Sequence, residues 1–299
     1  MTELRPVFRP HAFDSALWKR LRPAAADIAM SVGLVILALP VLVDLAREEW
    51  ITEQGSQGPI MFALGLWLLA REWPGGTAVR AEGWRAPAGL ALILPVYVFS
   101  RVTGQLWLSW MCVMAAGVLA IAARSGFARV RDLWFPVLFL ILLVPPPGLL
   151  AGPLTDWLNL TLASLAVAVF RTFGTDAASG GAMIYLGPYE MQLIDACAGM
   201  GSLLSLFAMG MLYIRLRHRS NWRYALAIAP FIVAAAIIAN FVRIVLLLLV
   251  TLVFGDSAAQ GWFHPMAGLI LFALALFAVI GLDTILSPLR VRLDRGEVR

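Results

Sequence analysis

Charge is scarce in this chain. Charged residues make up 14% of its 299 positions and hydrophobic residues 61%, with a mean hydropathy of +0.84. An ordinary soluble domain is excluded, since charged residues there run near about a quarter. Cysteine is scarcer still. Cys112 and Cys197 are the only two, which excludes a disulfide framework. Histidine occurs three times, as His11, His218 and His264. No low-complexity tract or strong internal repeat is present. The first apolar run is followed by no clear small-residue cleavage site, so it reads as a retained anchor helix rather than a secretory signal.

Long apolar runs are what the chain does have. A membrane span needs about 20 largely apolar residues. Eight candidates fall at roughly 25–45, 59–71, 86–101, 105–123, 133–150, 199–216, 224–253 and 264–285. The second and third are short or interrupted. Cys112 lies in the middle of the fourth, where it reads as a buried, inert thiol. A further apolar stretch, GPLTDWLNLTLASLAVAVFRTFG, occupies 152–174.

The formal net charge of +5 points away from nucleic acid once its distribution is seen. Basic residues group at 5–22, 71–85, 124–131, 215–223 and 290–299, which hold nineteen of the 23. Only Arg47, Arg101, Arg171 and Arg243 fall elsewhere. Cytoplasmic loops carry such an excess, and all five groups lie on one side if 152–174 does not cross. We therefore expect 152–174 to be a helix in the outer interface, entered through the turn-forming Pro145, Pro146 and Pro147. Asp156, Asn159 and Arg171 suit a helix that touches water. The expected architecture is an all-α polytopic membrane protein of about eight transmembrane helices, both termini cytoplasmic. Residues 1–299 form one integral membrane domain, with basic cytoplasmic tails at 1–23 and 286–299.

After the interfacial helix, AMIYL and YEMQLID flank Gly187-Pro188 and read as a short hairpin. The bland alternative is an irregular loop. Either way the segment leads Cys197 to the outer end of the sixth span, where Gly199 and Gly201 permit close backbone approach. Arg243 interrupts the apolar run IIANFVRIVLLLLV in the outer half of the seventh span, and a buried arginine is costly and functional by default. His264, in GWFHPMAG, opens the eighth span on the same side. Each has a bland reading. Cys197 is a packing residue, Arg243 pairs with a lipid headgroup or with Asp195 or Asp256, and His264 caps a helix. Together they form the only Cys–His combination on one face, because His11 and His218 lie opposite.

The set suits thiol chemistry. A thiolate is the nucleophile, and its pKa falls at a helix N-terminus or beside a cation. His264 is placed to act as general acid and base, and Arg243 to stabilise an oxyanion or orient a carbonyl. Asn240, one turn before Arg243, shares its helix face. No ligand cluster surrounds the outer histidine, so neither metal nor cofactor is expected. Two other classes compete. One is a small transporter or channel with Arg243 as an anion site, though paired broken helices are lacking. The other is a noncatalytic scaffold for envelope assembly.

At these residues the chain resembles the exosortase/archaeosortase family of membrane-embedded cysteine transpeptidases. The resemblance rests on ACAG with Cys197, NFVR with Asn240 and Arg243, and FHPMAG with His264, in order, over a catalytic core of roughly 135–285. It implies Cys197 as nucleophile, His264 as general acid/base and Arg243 as oxyanion or substrate stabiliser, with Asn240, Gly199 and Asp195 supporting. It implies membrane-anchored protein substrates bearing a C-terminal sorting signal: a short motif such as Pro-Glu-Pro, one transmembrane helix and a basic tail. It implies a bacterial inner membrane location with the active site on the periplasmic face, and a link to exopolysaccharide export. Ala198 and Gly201 depart from the serine and arginine that many members carry there, which leaves the subtype open.

Cys197 is expected to react with a membrane-impermeant thiol reagent from the periplasmic side after mild permeabilisation of the outer membrane. Labelling only from the cytoplasm would overturn this topology.

Overall fold

The computed structural model describes residues 13–52, 55–73, 85–181, 183–192, 200–217 and 222–286. The chain is mostly helical. In order come α1 (Phe13–Asp44), a π-helical turn (Leu45–Glu49), α2 (Gly58–Glu72), α3 (Arg85–Val102), α4 (Leu106–Ser125), α5 (Phe127–Asp132), α6 (Trp134–Ile141) and α7 (Gly148–Thr172). Three short strands follow, β1 (Ala177–Gly180), β2 (Met183–Leu186) and β3 (Tyr189–Gln192), then α8 (Met200–Arg217), α9 (Trp222–Phe254) and α10 (His264–Ile285).

Among the described residues, five segments are long and apolar enough to cross a membrane: Ile28–Glu49, Leu106–Ser125, Gly148–Thr172, Leu226–Phe254 and Met266–Ile285. Ala88–Val102 is a shorter apolar helix. The molecule is a multi-pass membrane protein. Its exposed surface carries large apolar side chains such as Leu92, Leu149, Phe254 and Phe277, which water would disfavour and lipid accommodates.

Most expected helix limits match to within a few residues, with two differences at the prolines and one at the start. The run 133–150 is not one helix. α6 stops at Ile141, and the chain turns through Pro145, Pro146 and Pro147 before α7 begins. Prolines lack a backbone donor and bias the preceding residue away from helix, so the fifth apolar run breaks well before residue 150. α7 then starts at Gly148, with Pro147 as its N-cap. At 25 residues it is about 37 Å long, so length alone lets it span or lie flat. Finally, α1 begins at Phe13, inside the expected 1–23 tail, whose first twelve residues lie outside the described ones.

The chain forms two compact units, one of residues 1–43 and 77–130, the other of 44–76 and 131–299. In the first, α3 and α4 make a helical hairpin. Its turn uses Gly104 at φ 69°, and the buried hydroxyls of Ser100 and Ser109 meet at 2.8 Å. Cys112 is buried there, as its sequence position implied.

The second unit holds everything that bears on function. α8, α9 and α10 each pack on the other two. The C-terminal ends of α8 and α10 and the N-terminal end of α9 converge on Asp283 of α10, which is 2% exposed. Tyr224 of α9 donates to its Oδ1 at 2.6 Å. Tyr213 of α8 donates to Oδ2 at 3.0 Å, and Arg217 Nε lies 3.3 Å from the same oxygen. A buried carboxylate survives only with such partners. Arg215 adds a two-pronged pair to Glu72 of α2, at 3.0 and 3.1 Å.

The sheet has the order β1-β2-β3, antiparallel throughout. Leu186 pairs with Tyr189 across Gly187-Pro188. Gly187 has φ 58°, and proline fixes the next φ near about −65°, the sign pattern of a type II′ hairpin turn. The expected hairpin is thus present, with β1 as a third strand that its sequence AASG did not signal. Ile184, Leu186 and Met191 bury one face of the sheet in a cluster with Leu162 and Ala166 of α7 and Leu247 of α9.

The Asp283 contacts predict that Asp283→Ala lowers stability by about 1–3 kcal/mol for the orphaned Tyr224 hydroxyl alone. Asp283→Asn should recover part of the loss. Thermal unfolding of the detergent-purified protein measures both, and an unchanged midpoint for Asp283→Ala would refute the lock.

Candidate active site

α9 is the element on which the site is built. Its 33 residues extend about 50 Å, well beyond the roughly 30 Å of hydrocarbon. Between Tyr224 and Thr251 its sequence is apolar except for Asn240 and Arg243, and both side chains are buried at 7% exposure. Spaced three apart, they occupy one helix face. Leaving a guanidinium in so apolar a helix is expensive, so its surroundings are informative.

The Nε of Arg243 is buried and makes no hydrogen bond, and the guanidinium end lies against α10. A Cβ built on Gly268 would stand 3.4 Å from both Cζ and one terminal nitrogen of Arg243, and 3.6 Å from the other. The guanidinium therefore faces α10 at Gly268, with room for a methyl-sized group between them. Sequence reasoning did not single out Gly268. Its signal was present in FHPMAG, as a glycine four residues after the histidine, but nothing in the sequence said which side chain would fill the space.

His264 is the first residue of α10, as expected, and Gly268 follows one turn later. Its backbone position is set by two breaks. Gly255 ends α9 at φ 86°, and Gly261 is non-helical at φ −75°, ψ −125°. Pro265 then occupies the first turn of α10, where its missing donor is harmless. The structure thus brings Arg243 onto α10 one turn from the position of His264.

Asp195, Cys197 and Gly199 lie outside the described residues, as do His11 and His218. The elements on either side of 193–199 are described. β3 precedes the segment, and its Met191 is 5% exposed, with the Thr251 hydroxyl of α9 at 3.3 Å from its sulfur. α8 follows, packed on α9 and α10. At the other end of the sheet, Arg171 Nε donates to the Ala177 carbonyl at 2.7 Å, tying α7 to β1. Among the described residues no three His, Cys, Asp or Glu side chains gather as a metal site would require.

A family model described as transmembrane exosortase matches residues 50–281, well over half of the chain. The chain belongs to the transmembrane exosortase family. No curated protein and no solved structure shows significant similarity to it.

The contact at Gly268 sets a size limit. Gly268→Ala adds a carbon at ordinary contact distance and should leave stability within about 1 kcal/mol. Gly268→Val forces the guanidinium or α10 to move and should cost about 1–3 kcal/mol. Thermal midpoints in detergent compare the two, and equal midpoints would sink the contact.

Proposed function

We propose that this transmembrane exosortase is a cysteine protease and transpeptidase that cleaves the C-terminal sorting signal of secreted, membrane-anchored proteins. Family membership supports a sorting-related transpeptidase in general. The observation that carries the finer reading is the buried Arg243, held against α10 at Gly268, one turn from the position of His264. An arginine kept in an apolar helix, beside the one outer histidine, is what stabilising a developing oxyanion next to an acid/base requires.

In the proposed reaction the Cys197 thiolate attacks the scissile carbonyl. The C–S bond forms, Arg243 stabilises the negative oxygen, and the C–N bond breaks as His264 gives its proton to the leaving amine. A thioester remains on Cys197. An amine acceptor or water then attacks it, His264 takes the nucleophile's proton, and the C–S bond breaks. α8 begins three residues after Cys197, so its N-terminal dipole favours the thiolate. Asn240 orients Arg243 or donates to substrate, Asp195 supports the site's cations, and Gly199 gives the backbone room.

The proposed topology keeps both termini in the cytoplasm of a bacterium and the site at the periplasmic face of the inner membrane. It has eight crossings, with α7 in the outer interface. The grouping of nineteen of 23 basic residues supports it. α6 and the residues that follow it through Pro147 make the fifth crossing, with the basic residues of α5 left on the cytoplasmic side. The substrate's motif then meets Cys197 at the outer interface while its basic tail stays inside.

Co-expression with a sorting-signal substrate tests this. Cys197→Ala should abolish processing at normal membrane levels. Arg243→Ala should slow it about 10²–10³-fold and His264→Ala about 10²–10⁴-fold. Unchanged processing by Cys197→Ala would remove the nucleophile and the mechanism with it.

A further inference from the structure

The sheet ends in a strand with one unpaired side. In the order β1-β2-β3, both β1 and β3 are edges. β1 is held to α7 by Arg171. Among the described residues no strand pairs with the far side of β3.

The register says what that side offers. Leu186 and Tyr189 close the two-residue hairpin, and Ile184 faces Met191 two positions on. In an antiparallel ladder the closing pair exchanges both backbone hydrogen bonds, and such pairs alternate with non-bonded ones. Tyr189 and Met191 therefore direct their N–H and C=O groups to β2. The N–H and C=O of Glu190 and Gln192 face away from it. The edge is also firmly seated, because Met191 is buried against Thr251 while Glu190 is exposed.

We infer that this edge of β3 is the docking strand for the substrate's extended cleavage segment, a peptide added to the sheet as a fourth strand. The inference rests on the proposed cysteine-protease reading and adds to it where the substrate backbone binds. Two arguments favour a peptide substrate over other occupants. Cys197 follows Gln192 by five residues, so chain connectivity alone keeps the two within about 18 Å. A substrate strand rising about 3.3 Å per residue covers that distance in five or six residues, the size of a short signal motif. And an extended segment has free backbone donors and acceptors, which a strand edge pairs without reading side chains. A charged residue such as Glu190 also guards edges against strange strands. Its side chain and its backbone therefore make opposite demands, and substitution separates them.

Glu190→Pro removes the outward N–H and places a ring on the edge, while the bonds to β2 stay intact; proline is tolerated on edge strands. Glu190→Ala keeps the backbone donor. With purified full-length protein and a sorting-signal peptide, Glu190→Pro should lower kcat/KM about tenfold or more relative to Glu190→Ala, chiefly through KM. A photo-cross-linking amino acid at position 190, in a Cys197→Ala chain that holds substrate uncleaved, should capture the signal motif and needs no turnover. Wild-type kinetics for Glu190→Pro would overturn the docking strand while leaving the cysteine mechanism standing. Cross-linking only to a second copy of this chain would also overturn it. Failure of the wild type itself to cleave, with the signal still captured at position 190, would overturn the mechanism and keep the edge.

Discussion

A positive charge enclosed in an apolar helix is the constraint around which this molecule is arranged. Arg243 is buried in α9 among leucines, isoleucines and valines, where lipid offers it nothing and desolvation costs several kcal/mol. A helix can carry such a residue only if its neighbours make room and share the cost. α10 presents Gly268 to the guanidinium, and a Cβ there would stand in ordinary contact with it. Asn240 places a second polar group on the same face of α9. The core to which α9 contributes on its C-terminal half, including Ile244 and Leu247, locks the helix against α7 and the sheet.

The same three helices carry a buried charge of opposite sign at their other end. Asp283 is fully provided for within the protein, by two tyrosine hydroxyls and an arginine drawn from α8 and α9. The two ends thus do different work. The Asp283 end fixes how α8, α9 and α10 sit together. The Arg243 end is where we propose the chemistry takes place, with the first residue of α10 being His264 and α8 beginning just after Cys197. A lock distant from the reacting atoms suits a site that needs its groups held to within about half an ångström.

The small sheet has a comparable double role. One face is buried and anchors it, through Ile184, Leu186 and Met191. Its last strand leads directly into the segment that holds Cys197. The turn that makes this possible is dictated locally, by a glycine at positive φ followed by a proline.

Much of this was legible in the sequence. Hydropathy located most of the helices because an apolar run long enough to cross a membrane has few other fates. Gly187-Pro188 located the hairpin because few turns tolerate that pair. The scarcity of histidine and the one arginine within the apolar run of α9 marked the candidate residues in the sequence, since such groups are costly in an apolar chain. Three things were decided only by the tertiary structure: that β1 joins the hairpin, that Arg243 meets α10 at Gly268, and that Asp283 gathers Tyr213, Tyr224 and Arg217. For Arg243 and Asp283 the partners are far apart in the chain, and β1, though next to β2, is ordinary in sequence. Periodicity and charge count are properties of neighbours along a chain, whereas the space left by a missing Cβ, or the cost of a buried carboxylate, exists only once distant segments have packed.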